Sequence, residues 1–168
     1  MMILVVGRPD SGKSRLAEDL AVGLAAEADK LYLATMIPFG KEGKERVKKH
    51  RKMRSSKGFD TIEKPLSLDE LNEELKPYEN GVCLLECVAN LAGNEMHSPL
   101  NTGMGIEEVA ELVTGEIKRL RGKVKELVVV SDIFEVTADC DEETLAYIGL
   151  VHRVNEMLKE TADRVYET

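Results

Sequence analysis

Residues 2–14 read Met2-Ile3-Leu4-Val5-Val6-Gly7-Arg8-Pro9-Asp10-Ser11-Gly12-Lys13-Ser14. An apolar run that ends in a glycine has the form of a strand buried on both faces. Gly7 through Ser14 satisfy the pattern GxxxxGK[ST] in full. Leu16, Leu20 and Leu24 follow at i+4 steps beside Ala17, Ala21 and Ala25, the period of an amphipathic helix. The pattern therefore lies in the strand–loop–helix context that gives it meaning. Its glycines let backbone N–H groups turn inward around a polyphosphate, and the helix N-terminus adds partial positive charge. Lys13 is expected to reach the β- and γ-phosphates and the Ser14 hydroxyl to ligate Mg²⁺.

Outward from this stretch, strands alternate with helices. Lys30–Thr35, Phe59–Glu63, Gly81–Cys87 and Leu127–Val130 read as strands, and Arg164–Tyr166 begins a last one. Ser67–Leu75 reads as a short helix opened by a serine cap, and Asn101–Gly105 as a loop. A helix follows with Ile106, Val109, Ala110, Val113, Ile117 and Leu120 on one stripe. A longer one spans Asp141–Thr161 with Leu145, Ile148, Val151, Val154 and Leu158 inward. This order predicts an α/β fold of P-loop NTPase type, with a mainly parallel sheet and helices on both faces. No repeat or linker interrupts it, so residues 1–168 read as one domain. Ligands in such folds sit beyond the carboxyl ends of the strands. A P-loop needs a carboxylate for the metal or its waters, and Glu86, closing Gly81–Glu86, is the candidate.

Composition narrows the partners. The chain has 168 residues, 43% of them hydrophobic, enough for a core and too many for a disordered chain. A net charge of −8 argues against a general nucleic-acid or anionic-membrane binder. No window approaches a transmembrane span, and the opening residues lack a signal peptide's basic and apolar regions, so a cytoplasmic protein is expected. Cys83, Cys87 and Cys140 form no CxxC pair and read as buried, reduced thiols rather than a zinc site.

The charge is uneven. Lys41–Arg54 holds eight basic residues against two acids, a local +6 that leaves −14 on the remainder. If residues 44–55 are helical, Arg46, His50 and Arg54 share one face. Neighbouring cations favour the neutral imidazole that a nucleophile needs, and guanidinium groups can grip phosphates. His50 could thus attack a nucleotide α-phosphorus, although the residues alone favour a solvated basic helix with an incidental histidine. His97 and His152 have no comparable setting. Asn155 lies on the apolar stripe of the long helix and should have a partner, either a neighbouring loop or a ligand.

Taken together, these segments resemble the bifunctional adenosylcobinamide kinase/adenosylcobinamide-phosphate guanylyltransferase family of cobalamin biosynthesis. The matching stretches are the loop Gly7–Ser14, Tyr32-Leu33-Ala34-Thr35, and the HRxxR segment within Arg46–Arg54. They continue through Thr61–Leu68, Leu84–Met96 (an LLECxxNLxxNEM pattern) and Arg153-Val154-Asn155. They are collinear and span almost the whole chain.

The resemblance implies phosphorylation of the aminopropanol hydroxyl of adenosylcobinamide by ATP or GTP, then transfer of GMP from GTP through a GMP–histidine intermediate. It implies catalytic roles for His50, Lys13 and Glu86, with Mg²⁺ held by Ser14 and Glu86. Nucleotide contacts are implied for Gly7, Arg8, Pro9, Asp10, Ser11, Gly12, Lys13, Ser14, Ala34, Thr35, Met36, Arg51, Lys52, Met53, Arg54, Glu63 and Glu86. A homotrimer with a corrinoid substrate completes the expectation. Departures fall on the loop and the late half. Arg8 replaces a glycine, Asp10 adds negative charge, Ser131-Asp132-Ile133-Phe134 replaces a [TS]-N-E-V stretch, His152 replaces a glycine, and the final strand is missing or truncated. A P-loop kinase for another small alcohol, or a non-catalytic GTP-binding paralogue, are the alternative readings.

Overall fold

The computed structural model describes all 168 residues. Six strands form one sheet: β1 (Met2–Gly7), β2 (Lys30–Ala34), β3 (Phe59–Glu63), β4 (Val82–Glu86), β5 (Glu126–Asp132) and β6 (Arg164–Glu167). Their order is β3-β2-β4-β5-β1-β6, and every pairing is parallel. The helices are α1 (Lys13–Ala25), α2 (Gly40–Ser55), α3 (Val88–Met96), α4 (Ile106–Arg121) and α5 (Glu142–Thr161). The α/β class and its parallel sheet are as expected.

Chain order and handedness place the helices. The connections β1–α1–β2 and β2–α2–β3 step toward one edge, whereas those from β4 to β5 and β5 to β6 step toward the other. Right-handed crossovers then put α1 and α2 on one face and α3, α4 and α5 on the opposite one. The inner strands are sealed on both sides: Met2 through Val6 and Leu127 through Val130 are essentially inaccessible. On α1 the alanines, not the leucines, meet the sheet. Ala17, Ala21 and Ala25 are buried while Leu16, Leu20 and Leu24 flank them half-exposed. Small side chains let the helix axis approach closely, which draws the phosphate loop down against the strand ends.

Several boundaries differ from the sequence reading. Ser67–Leu75 is not one helix but belongs to two 3₁₀ turns, Leu68–Glu70 and Glu73–Tyr78. Ser67 has φ +57° and its side chain makes no cap. The Leu68 N–H donates instead to Glu116 of α4 at 2.6 Å, so a tertiary partner replaces the local one. Helix α3 had no sequence signal, because Val88, Ala89, Leu91 and Ala92 are buried around its axis and its N-cap is the sulfur of Cys87. Ile106 and Leu145 are about 43% and 42% exposed, each in the first turn of its helix before the packed layer begins. Strand β5 runs two residues beyond Val130, and β6 is a four-residue edge strand paired with β1. Cys83 and Cys87 are buried, their thiols pushed up to about 12 chiefly by burial, whereas Cys140 is only half-buried. No helix is long and apolar enough to cross a membrane.

A carboxyl pair closes the α3–α4 layer. Glu95 and Glu116 are 3% and 2% exposed. Burial, then the neighbouring Glu95 carboxyl, pushes Glu116 up to about 9. The folded chain therefore keeps a proton that the unfolded chain releases near 4.5. The associated stability is complete below that value and is lost as pH rises toward 9. Glu116→Gln retains an acceptor for Leu68 and removes the titration. Urea unfolding at pH 5 and pH 9 is expected to show a smaller fall in stability for this variant than for the parent; equal falls would contradict the assignment.

Candidate active site

The site is assembled at the carboxyl edge of β1, β4 and β5. Register sets its spacing: Gly7 pairs with Asp132, and Glu86 with Val130, so three strand ends lie side by side. The loop Gly7–Ser14 rises from β1. A Cβ at Gly7 would collide with the hydroxyls of Ser11 and Thr168, which would have to turn aside to admit one. Gly12 adopts φ +86° as the N-cap of α1, a left-handed conformation that glycine enters without steric cost. Asp10 has φ +61° and is exposed, so its charge stands outward. The Arg8 side chain also leaves the loop, pairing with Glu135 at 2.5 Å.

Lys13 is 8% exposed. Its ammonium lies 2.7 Å from Asp132 Oδ1 and donates to the Arg8 carbonyl at 3.3 Å. Ser14 donates to Glu86 Oε1, and the Tyr32 hydroxyl donates to Glu86 Oε2 at 2.9 Å. Burial, then the charge of Glu86, drives the Tyr32 hydroxyl well above its usual range, so it remains a donor. The expected pair of Ser14 and Glu86 is thus brought into contact. A hydroxyl and a carboxylate are hard oxygen donors of the kind Mg²⁺ takes together with substrate phosphates.

Helix α2 carries the basic segment and packs lightly, with only Arg54 buried. The Arg54 guanidinium lies 3.5 Å from the centre of the Tyr32 ring, and its buried Nε has no hydrogen-bond partner. His50 stands one turn earlier, on the seam between two cavities. One, of about 450 Å³, is bounded by Ser14, Arg15 and Glu18 of α1 and by Met53, Arg54 and Lys57. The other, of about 240 Å³, is bounded by Tyr32, Ala34, Met36, Arg46, Glu63 and Glu86 among others. His50 and Arg54 line both. Arg46, His50 and Arg54 therefore share a face, as their spacing predicts.

Other expected contacts separate. Arg51 is ion-paired with Glu63, which bounds the smaller cavity. Lys52 is exposed and lines neither cavity. Thr35 lines neither cavity. It is fully buried, its hydroxyl donates to Cys87 O at 2.7 Å and accepts from Cys87 N at 2.8 Å, and its own N–H and carbonyl are bonded to Glu86 and Asn94. With every polar group occupied, Thr35 braces the strand ends.

Asp132 and Tyr32 are site residues that sequence reasoning did not single out. Asp132 carries the same signal as Glu86, a carboxylate ending a strand, but the apolar run before it stops at Val130. Asn155 has its partner within the fold: it accepts from Ser131 Oγ at 2.5 Å and donates to the Asp132 carbonyl at 3.0 Å. His152 Nε2 accepts from the Phe134 N–H at 3.2 Å. Both α5 residues anchor the segment that follows β5.

A family model described as "Cobinamide kinase / cobinamide phosphate guanyltransferase" matches residues 3–168. The chain belongs to this family. It is 41% identical over 95 residues to the "Bifunctional adenosylcobalamin biosynthesis protein CobU" of Escherichia coli (strain K12), a match covering 56% of this chain and 49% of that protein. The aligned part thus spans about half the length of that relative. Among solved structures, the "ATPase Domain of G40P" superposes with TM-score 0.59 at 11% identity, over 99% of this chain and 68% of the other. The flagellar accessory protein FlaH of Methanocaldococcus jannaschii superposes with TM-score 0.53 at 16% identity, over 99% and 70%. These similarities show a shared P-loop fold.

Replacing Lys13 by Ala removes the buried ammonium and leaves Asp132 as an uncompensated charge beside the phosphate position. Charge-assisted hydrogen bonds contribute about 1.5–3 kcal/mol, so titration calorimetry should show GTP affinity weakened by about tenfold to a hundredfold or more. Unchanged affinity would contradict the phosphate-loop assignment.

Proposed function

We propose that this chain phosphorylates adenosylcobinamide with ATP or GTP and then transfers GMP from GTP to the resulting phosphate through His50. The observation that carries the reading is the position of His50 on the seam between the two cavities. One of them contains Ser14 of the phosphate loop, the other the strand-end carboxylates Glu63 and Glu86. A triphosphate laid along Gly7–Ser14 would extend toward α2, where the imidazole and two guanidinium groups converge.

In the guanylyl step, a His50 nitrogen attacks the α-phosphorus, an N–P bond forms, and the α–β bridging P–O bond breaks. Pyrophosphate leaves against the basic face of α2. An oxygen of the corrinoid phosphate then attacks the same phosphorus, the N–P bond breaks, and neutral imidazole returns. Ser14 and Glu86 would hold Mg²⁺, which supplies charge neutralisation on the phosphates when bound. Tyr32 fixes Glu86 by its hydroxyl and Arg54 by its ring, so one side chain ties the metal-binding carboxylate to the nucleophile's helix. The unpartnered Arg54 Nε is a donor available to a phosphate oxygen. Glu63, once released from Arg51, is an acceptor available to the base. A cytoplasmic enzyme acting as a homotrimer belongs to the same proposal and rests on the family alone.

Incubation with α-labelled GTP and Mg²⁺, followed by denaturation, is expected to leave label that is acid-labile and alkali-stable, as a phosphoramidate is. His50→Ala should lose that label entirely and still phosphorylate cobinamide. Absence of label from the parent protein, or its persistence in the variant, would remove the guanylyltransferase assignment.

A further inference from the structure

Displacement at phosphorus runs in line, with the entering atom opposite the leaving one. In the guanylyl step proposed above, His50 enters opposite the pyrophosphate. The second half-reaction reverses the roles. The His50 nitrogen now leaves, so the acceptor oxygen must arrive from the side that pyrophosphate has vacated. One seat therefore serves two phosphate groups in turn, and the two cavities beside His50 are the places available for it.

Charge decides between them. The cavity of about 240 Å³ sets Glu63 and Glu86 against Arg46 and Arg54, so it offers a phosphate as many anions as cations. The cavity of about 450 Å³ sets Arg15, Arg54 and Lys57 against the single carboxylate of Glu18. His50, Met53, Arg54 and Lys57 stand at i, i+3, i+4 and i+7, so α2 and the turn after it present one stripe to this cavity. From α1, Ser14 continues the phosphate loop into the cavity wall, and Arg15 stands beside it, exposed and without an ion-pair partner in the chain. Glu18 holds the Lys57 ammonium at 2.7 Å. Arg54 is 7% exposed, and its Nε is the one buried side-chain nitrogen left without a partner. A buried donor in that state costs free energy that a bound anion removes. Met53, the one apolar residue of the wall, is 59% exposed, so the mouth admits an acceptor with bulk beyond its phosphate.

We infer that this cavity is the phosphate seat of both half-reactions, holding the departing pyrophosphate and then the phosphate of the acceptor, with Arg15 and Lys57 as its binding residues. The inference rests on the guanylyl transfer proposed above and adds where its acceptor docks. As the N–P bond forms, the α–β bridging P–O bond breaks, and pyrophosphate keeps the bridging oxygen and lies against Arg15, Arg54 and Lys57. When it leaves, a phosphate monoester takes its place on the same cations. One of its oxygens bonds to the α-phosphorus, the N–P bond breaks, and the electron pair returns to the imidazole. The nucleoside end stays in the smaller cavity, so only the phosphate seat is exchanged. Such a seat selects a phosphate monoester over the parent alcohol, because a hydroxyl carries no charge for the three cations to hold. Phosphorylation before guanylyl transfer follows from that preference.

The GMP adduct is formed with α-labelled GTP and Mg²⁺ in the parent, Arg15→Gln and Lys57→Gln, freed of nucleotide, and exposed to pyrophosphate or to cobinamide phosphate. Label should pass to GTP in the first case and to the corrinoid in the second. In each variant the concentration giving half-maximal release should rise about tenfold for both reagents alike, since each substitution removes one charge-assisted contact. Arg15→Lys should recover part of the loss. A variant that weakens pyrophosphate and leaves the acceptor unchanged would overturn the shared seat, and parental values for both would overturn the cavity. Titration calorimetry with inorganic pyrophosphate reads the same cavity without the adduct. Arg15→Gln and Lys57→Gln should bind it about tenfold more weakly than the parent, and equal affinity would overturn the assignment. Parent protein that forms no adduct would refute guanylyl transfer, while this titration still decides the binding residues.

Discussion

The parallel register of β4, β5 and β1 is the constraint on which the rest depends. These strands are buried on both faces, so their backbone groups must pair with one another, and a slip of one residue would turn every side chain to the opposite layer. With Gly7 beside Asp132 and Val130 beside Glu86, the phosphate loop and two carboxylates end together at one edge. The close approach of α1 through its alanines completes the arrangement by bringing Lys13 and Ser14 down onto those carboxylates.

Each loop cation or hydroxyl thereby has a strand-end partner before any nucleotide arrives. Lys13 pairs with Asp132 and Ser14 with Glu86. An ammonium buried to this degree would be costly if left alone, and a carboxylate at the end of an apolar strand equally so. Pairing satisfies both and leaves the set exchangeable. Phosphate can replace Asp132 on Lys13, and a metal can come between Ser14 and Glu86. The site is preorganised by these internal contacts.

Helix α2 contrasts with this rigid edge. It contributes only Arg54 to the interior and is otherwise a charged, solvated rod. Its position rests on Arg54 over the Tyr32 ring and on two ion pairs, Arg51 with Glu63 and Lys57 with Glu18. Exposed ion pairs contribute little, about 0–1 kcal/mol. A helix held this way carries its histidine beside the phosphate loop while remaining the least anchored element of the site.

Much of this was legible in the residues. The phosphate loop, the alternation of strands and helices, the carboxylate at Glu86 and the shared face of Arg46, His50 and Arg54 are local patterns, because loop geometry and helical period depend on near neighbours in the chain. Asn155 announced itself as a polar residue on an apolar stripe that required a partner. Other features were not local. Nothing near Asp132 says that β5 continues past Val130, since that extension exists through pairing with β1. Nothing near Thr35 says that its hydroxyl is consumed by Cys87, 52 residues away. The amino-acid sequence by itself determined the fold class, the phosphate loop and the helix that bears the histidine. Only tertiary structure decided which carboxylate meets Lys13, which meets Ser14, and where the cavities open beside them, because those contacts join strand ends far apart along the chain.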